Sequence, residues 1–378
     1  MVSEAGGDYS PAMPTKVSRG AAITGWGKCM PPAVLSNADI ATFLDTTDEW
    51  ISTRTGIRER RISHVPLGEL MYVAAARALA CAGMEGRQLE LIVAGTTSYD
   101  DQVPNVASGI QRRVGAEGCA AMDVNTACTS FLYSLSTATA LIRTGVVRNA
   151  LVLGAEVISP FIDWTDRNTA VLFGDGAAAV VLEATDAEEG LLAERLGCYG
   201  DSREILRVHG MGAAYAHQNR IIGKTEWQFE GQEIFKKAVH GMAMACDEAL
   251  TKIGKTAADV DLVIPHQANL RIIEAVAKKA GVPMDKVFVN VHRYGNMSAA
   301  TVPVALCEAL EEGRVKPDSL LLMPSFGGGL TFTGHVVRWG QRLKPLGVSD
   351  VELPANDRSA LEIVARYRTI GQQRVVSK

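Results

Sequence analysis

Ala120-Ala121-Met122-Asp123-Val124-Asn125-Thr126-Ala127-Cys128-Thr129-Ser130-Phe131 reads as a buried strand that runs into a turn of small residues and then an apolar helix. Beyond the turn, Phe131, Leu132, Leu135, Ala138 and Leu141 recur at helical spacing until Gly145 supplies a stop. Cys128 thus falls at the helix N-terminus, where unpaired backbone N–H groups and the helix dipole favour a thiolate, the nucleophilic form of cysteine. A single cysteine is more often a buried structural residue. Two later segments shift the balance towards chemistry: His266 in Ile264-Pro265-His266-Gln267-Ala268-Asn269, and Asn296 in Tyr294-Gly295-Asn296-Met297-Ser298-Ala299-Ala300.

Working outward, short aliphatic runs alternate with longer helical stretches from about Gly20 to Trp339, which predicts a layered α/β architecture. Expected strands are Leu91–Ala94, Ala150–Leu153, Ala178–Leu182, Leu262–Pro265, Val287–Val291, Leu320–Met323 and His335–Arg338; expected helices include Leu70–Ala82 and Gln232–Ile253. The order of elements occurs twice. Leu91 precedes Cys128 by 37 positions and Leu262 precedes Asn296 by 34, so the two residues are expected at matching places in two related halves. The divisions are a flexible lead over 1–18, an N-terminal half over 19–186, a C-terminal half over 187–340 and an extension over 341–378.

At 378 residues, 47% hydrophobic and 21% charged, the chain has the makeup of a globular enzyme. A formal net charge of −4 gives no reason to expect nucleic-acid binding. No apolar run is long enough to span a bilayer and no leader pattern opens the sequence, so a cytoplasmic location without a membrane partner is expected. The seven cysteines are scattered singly, which argues against a disulfide framework and a structural zinc site, and no histidine spacing suggests a catalytic metal.

A cysteine that attacks a thioester needs an oxyanion hole as well as a thiolate. The backbone N–H of Cys128 and the glycines Gly327-Gly328-Gly329 are candidates for that hole, the plain alternative being a tight turn before the last strand. His266 and Asn296 carry N–H groups able to meet on one developing oxyanion, each worth about 3–4 kcal/mol when such a donor is removed. By default the histidine would be a satisfied structural residue and Asn296 a turn or N-cap residue.

Together these segments, with Phe326-Gly327-Gly328-Gly329 and Asp48-Glu49-Trp50-Ile51-Ser52-Thr53-Arg54-Thr55-Gly56-Ile57-Arg58-Glu59-Arg60, closely resemble the β-ketoacyl-acyl carrier protein synthase III family. The resemblance implies a thiolase-like fold of two pseudo-duplicated halves in α-β-α-β-α layers, acting as a homodimer. Cys128 then resembles the acyl-accepting nucleophile, and His266 with Asn296 the pair that stabilises a malonyl-derived enolate. Backbone N–H groups of Cys128 and Gly328 resemble the oxyanion hole, and Phe326 part of the acyl pocket. Trp50, Arg54 and Arg167 match positions that hold the nucleotide end of coenzyme A, and Gly231 a tunnel glycine. Lys236, Arg271, Lys278 and Lys279 match a basic face that docks the acyl carrier protein. The implied reaction transfers an acyl group from acyl-CoA to Cys128, then condenses it with malonyl-acyl carrier protein as CO₂ leaves, with no metal or added cofactor. This is the initiating step of fatty-acid synthesis.

Departures from the pattern carry information. Val103 stands where some members place a bulky aromatic that closes the partner's acyl pocket, so a primer longer than acetyl is expected, of medium chain. Thr129 and Ser130 follow the nucleophile where smaller residues are common; their hydroxyls either cap the helix or alter the pocket wall. Residues 341–378 hold seven basic and four acidic side chains, with an amphipathic helix expected over 357–368 and disorder as the default for a terminus. Two other readings use the same residues: a specialised-metabolite condensing enzyme with another thioester acceptor, and an acyl-thioester hydrolase in which water meets the acyl-cysteine.

Overall fold

The computed structural model describes residues 20–210, 212 and 225–376, so the expected lead over 1–18 lies outside the described residues. Thirteen strands are described: β1 (Gly20–Cys29), β2 (Ala33–Ser36), β3 (Glu59–Ile62), β4 (Leu91–Gly95), β5 (Ala120–Val124), β6 (Asn149–Glu156) and β7 (Gly176–Thr185) in the first half. The second half adds β8 (Gly190–Cys198), β9 (Leu206–His209), β10 (Glu226–Phe229), β11 (Leu262–Val263), β12 (Leu320–Gly327) and β13 (Thr331–Arg338). Nine of them form one ladder in the order β11-β12-β13-β8-β1-β7-β6-β4-β5. Its two wings meet at a single parallel pairing, Ala21 with Gly190. Within each wing a parallel pair (β4–β6, β11–β12) is followed by an antiparallel one (β6–β7, β12–β13).

The duplication is visible in the numbering. Leu91 and Leu262, Ala127 and Ser298, Ser130 and Thr301, and Asn149 and Leu320 open matching elements, and each pair is 171 residues apart (262 − 91, 298 − 127, 301 − 130, 320 − 149). This corrects one expectation. Asn296 occupies the same junction as Cys128 but matches Asn125, whereas Cys128 matches Ala299. Both asparagines accept a hydrogen bond from the backbone N–H two residues on, Asn125 from Ala127 (3.4 Å) and Asn296 from Ser298 (2.8 Å). Both turns then place a non-glycine residue in the left-handed region, Ala127 at φ 53° and Ser298 at φ 47°.

The helices that follow, Ser130–Arg143 and Thr301–Glu311, carry apolar side chains into a core shared by strands of both wings. The second is buried on nearly every side, as a central-layer helix must be. Outside lie Leu67–Ala82, against β1 and β7, and Gly231–Thr251, against β13 and β8. Each half presses its turn on the other's strand. A Cβ on Gly154 of β6 would stand 2.5 Å from the Ala299 carbonyl, and one on Gly327 of β12 would stand 2.6 Å from the Cys128 nitrogen. Only glycine permits that approach.

Three elements differ from expectation. β5, expected to be buried, is the half-exposed edge of the ladder. The expected strand Leu262–Pro265 is a regular ladder only over Leu262–Val263, although Ile264 N–H and His266 N–H still donate to the Leu322 and Pro324 carbonyls of β12 (2.8 Å each). Val287–Val291 makes a single bridge, Val287 with Val263, before turning into the short helix Val291–Tyr294. There the buried Gln267 side chain replaces a strand partner. Its carbonyl oxygen accepts from the backbone N–H of Asn290 (3.0 Å) and Val291 (3.1 Å), and its amide donates to the Phe288 carbonyl (3.0 Å). The extension is folded: the helix Ala360–Val376 buries Ala360, Ile363 and Val364 against β2 and β3.

Candidate functional site

Cys128 sits in the 3-10 turn Ala127–Thr129, immediately before the helix Ser130–Arg143. Neither following hydroxyl caps that helix. Thr129 Oγ1 donates to the Thr126 carbonyl (2.7 Å) and lies 2.8 Å from Thr331 Oγ1. Ser130 Oγ donates to the Ala127 carbonyl (2.7 Å) and accepts from Thr126 N–H (2.9 Å). Ser325 of β12 donates to the Cys128 carbonyl (3.1 Å). These bonds hold the nucleophile turn rigidly across the junction of the halves, which answers the open question about the two hydroxyls.

The thiolate expected from the helix N-terminus is not the resting form. Burial pushes the Cys128 thiol up to about 12; a hydrogen bond with Ser298 and one from its own backbone oppose this only partly, and the Glu156 carboxylate raises it further. Desolvation of the charged form outweighs the dipole. At neutral pH Cys128 is therefore a thiol.

His266 is buried (4% exposed), and burial holds its pKa down at about 3, so the imidazole is neutral. The hydrogen-bond network assigns its tautomer. Thr301 Oγ1 donates to the Ser298 carbonyl (3.0 Å), so at 2.6 Å it accepts from His266 Nδ1–H. The other nitrogen then carries a lone pair. In the neutral ring the free nitrogen is an acceptor, and it becomes the expected donor only after gaining a proton. Asn296 is oriented in the same way. Its side-chain oxygen is committed to Ser298 N–H, which leaves the NH₂ to donate.

Cys128, His266, Asn296, Phe326 and Gly328 all line one cavity of about 1020 Å³, within the range for a large organic ligand. Trp50, Arg54, Gly231, Lys236 and Arg271 line it too. Arg54 and Arg167 lie over the Trp50 ring, at 4.5 and 4.6 Å from its centroid, and Arg167 donates to the Asp45 carbonyl (2.9 Å). Arg167 does not itself line the cavity, although its neighbour Asn168 does. Lys278 and Lys279 end the helix Leu270–Lys279, about 10 Å along its axis from Arg271, and stand apart from the cavity. Lys236 pairs with Glu233 (2.7 Å), and Lys279 lies 3.3 Å from His240 Nδ1. Val103 is 82% exposed and lines no part of this chain's cavity.

Sequence reasoning missed the groups behind the nucleophile. Glu156, at the end of β6, is fully buried and accepts from Ser98 Oγ (2.6 Å), Ser298 Oγ (3.0 Å) and Thr97 N–H (3.1 Å). Burial raises its pKa against those bonds. An acid closing the apolar run Ala150–Ala155 was the available signal. Thr301 gave none beyond its place after Ala300. Among the described residues no cluster of three or more His, Cys, Asp or Glu could hold a metal ion, and no helix is long and apolar enough to cross a membrane.

Comparison with known proteins agrees with this geometry. Residues 122–200 match the family model described as 3-oxoacyl-(acyl-carrier-protein) synthase III, and residues 250–339 its C-terminal counterpart. A β-ketoacyl-(acyl-carrier-protein) synthase III 2 of Vibrio cholerae is 52% identical over 346 residues, covering 92% of this chain and 96% of the relative. A β-ketoacyl-(acyl-carrier-protein) synthase III of Roseiflexus castenholzii is 47% identical over 84% of this chain and 98% of its own length. Among solved structures, the Aquifex aeolicus 3-oxoacyl-(acyl-carrier-protein) synthase III superposes with a TM-score of 0.79 at 41% identity, covering 85% of this chain and all of the other. The priming β-ketosynthase of the R1128 polyketide pathway gives 0.82 at 31% identity, over 88% and 99%. With its cysteine turn, its buried histidine and asparagine and its duplicated thiolase-like halves, the chain belongs to the β-ketoacyl-acyl carrier protein synthase III family of acyltransferases.

Proposed function

We propose that this enzyme initiates fatty-acid synthesis by condensing an acyl-CoA primer with malonyl-acyl carrier protein. The observation that carries the reading is the pairing of a protonated thiol with a neutral imidazole whose free nitrogen is a base, both on one large cavity. As the sulfur attacks the thioester carbonyl, His266 takes the thiol proton. The oxyanion is held by the N–H groups of Cys128 and Gly328, the carbon–sulfur bond to coenzyme A breaks, and the departing thiolate takes the proton from His266 and leaves as the thiol. His266 regains a proton from solvent only as the malonyl carboxylate of the second substrate enters and offsets its charge.

When the bond to CO₂ breaks, its electron pair moves into an enolate whose oxygen accepts from Asn296 NH₂ and from the imidazolium. The enolate carbon attacks the acyl-cysteine, the new carbon–carbon bond forms, and the departing Cys128 thiolate takes the imidazolium proton. The charges balance and no cofactor enters.

Coenzyme A is read as lying along the mouth, its adenine exchanging with a guanidinium on the Trp50 face and its phosphates near Arg54 and Arg271. Carrier-protein docking is assigned to Lys236, Arg271, Lys278 and Lys279, with the last two forming a separate patch. A homodimer is supported by the half-exposed edge strand β5 and by Val103, which is exposed as a residue acting on a partner's pocket would be. A valine there leaves room for a medium-chain primer.

The test is intact-protein mass after incubation with acyl-CoAs of two to twelve carbons, with Cys128→Ala as control. Selective acylation of the wild type by medium chains supports the whole reading, whereas acylation by acetyl-CoA alone removes the primer assignment. Absence of any adduct removes the mechanism. Free acid released without chain extension would make the enzyme a hydrolase, and extension on malonyl-CoA in place of the carrier protein would indicate a specialised-metabolite synthase.

A further inference from the structure

The C-terminal helix Ala360–Val376 is packed on the body, and its described side chains reach two strips of chain, one that enters the cavity lining at Phe161 and one that lies behind the stack of Arg167 on Trp50. One strip is the turn Ser159–Phe161. The half-buried Tyr367 packs against the apolar cluster that holds Ile158, Ile162 and Trp164, the residues on either side of that turn. Asp175 accepts from Ser159 Oγ (2.6 Å) and from the N–H groups of Ile158 (2.8 Å) and Ser159 (3.0 Å). Two residues on, Phe161 lines the cavity, and its carbonyl accepts from Thr225 Oγ1 (2.9 Å) and Trp227 Nε1 (2.8 Å), which line it as well.

The other strip is Phe43–Asp45. The Arg368 guanidinium lies over the Phe43 ring at 4.6 Å from its centroid. Phe43 packs edge-on against Trp164 (6.4 Å), whose indole N–H donates to the Ser159 carbonyl (3.0 Å). The Asp45 carbonyl accepts from Arg167, the residue stacked on Trp50. Adjacent residues of one helical turn thus hold both strips, and Trp164 ties the strips together. Neither Tyr367 nor Arg368 lines the cavity.

We infer that Tyr367 and Arg368 are positioning residues for acyl-CoA. The C-terminal helix acts as a brace that fixes the nucleotide side of the mouth and so sets affinity for the first substrate. The inference rests on reading Trp50 and Arg167 as nucleotide contacts. A brace of this kind acts on binding of the part of the substrate it frames and leaves the chemistry at Cys128 unchanged.

The test compares acyl-CoA with the acyl N-acetylcysteamine thioester, which lacks the nucleotide, on the full-length chain carrying Tyr367→Ala and Arg368→Ala together. The expected result is a rise of about five- to tenfold in KM for acyl-CoA, the size typical of coupling through a packed network. kcat should stay unchanged, as should kcat/KM for the N-acetylcysteamine thioester. Equal losses on both substrates would reduce the helix to a stabilising element and overturn the inference, as would an unchanged KM. Arg167→Ala serves as the reference. If it loses the preference for acyl-CoA while the double variant keeps it, the brace fails and the nucleotide site stands. If Arg167→Ala also has no effect, the nucleotide-site reading fails and the inference goes with it.

Discussion

Thr301→Val is the substitution that isolates the tautomer of His266. The side chains are nearly the same size, and Thr301 is fully buried, so no cavity opens. What is lost is the acceptor for His266 Nδ1–H at 2.6 Å and the donor to the Ser298 carbonyl at 3.0 Å. A buried N–H without a partner costs about 1–3 kcal/mol. The ring can escape that cost only by moving its proton to the cavity-facing nitrogen, where it no longer accepts the Cys128 proton. At 1.36 kcal/mol per decade, holding the reactive tautomer against that bias slows acylation by about five- to 150-fold. Single-turnover acylation of Cys128, followed by intact mass, measures it. Decarboxylation of a malonyl thioester should suffer less, since the altered tautomer still donates from the cavity side. Thr301→Ser, which keeps the hydroxyl, should restore the acylation rate. A folded Thr301→Val enzyme that acylates at the wild-type rate would refute the assignment of His266 as base.

Other expectations concern pH, docking and chain length. His335 is buried with its pKa held down near 3, bonded to Leu132 and Thr333, and distant in role from the chemistry. Unfolded histidine gains a proton below about pH 6.5. Stability from His335 is therefore complete above that pH and falls as pH drops towards 3. Between pH 7 and 5 this removes about 2 kcal/mol, and the stability deficit of His335→Gln should shrink by that amount in chemical denaturation at the two pH values. Lys278→Glu with Lys279→Glu should raise KM for malonyl-acyl carrier protein about three- to tenfold at low salt and spare malonyl-CoA, with the difference fading at high ionic strength. Val103→Phe should shift acylation from medium-chain towards two-carbon primers; an unaltered chain-length profile in the mass assay would show that this position does not close the pocket.

The sequence made the proposed catalytic groups legible because each stands at a junction that glycine, small residues and apolar periodicity all mark. Cys128, His266 and Asn296 do meet on one cavity, and the repeated order of elements does reflect two related halves. The register of that repeat was misread because Cys128 and Asn296 stand out chemically, whereas the true equivalents, Asn125 and Asn296, share only a turn geometry. Val287–Val291 has the composition of a strand, but a side chain 20 or more residues away, Gln267, takes its backbone hydrogen bonds. The thiol's protonation state was likewise hidden: local position argued for a thiolate, and desolvation by residues distant in sequence reversed the sign. The extension folds because Ile363 and Val364 find a surface on β2 and β3, strands more than 300 residues earlier in the chain.

The quiet thiol of Cys128 has a consequence for the protein's lifetime. Peroxide and adventitious electrophiles attack thiolates far faster than thiols, so a nucleophile stored with its proton ages slowly between turnovers. In the proposed mechanism, reactivity is released only when a thioester carbonyl lies against the sulfur and the histidine can accept the proton in the same event. The same burial that makes the residue a poor nucleophile at rest makes it durable, and an empty active site is in that sense chemically closed.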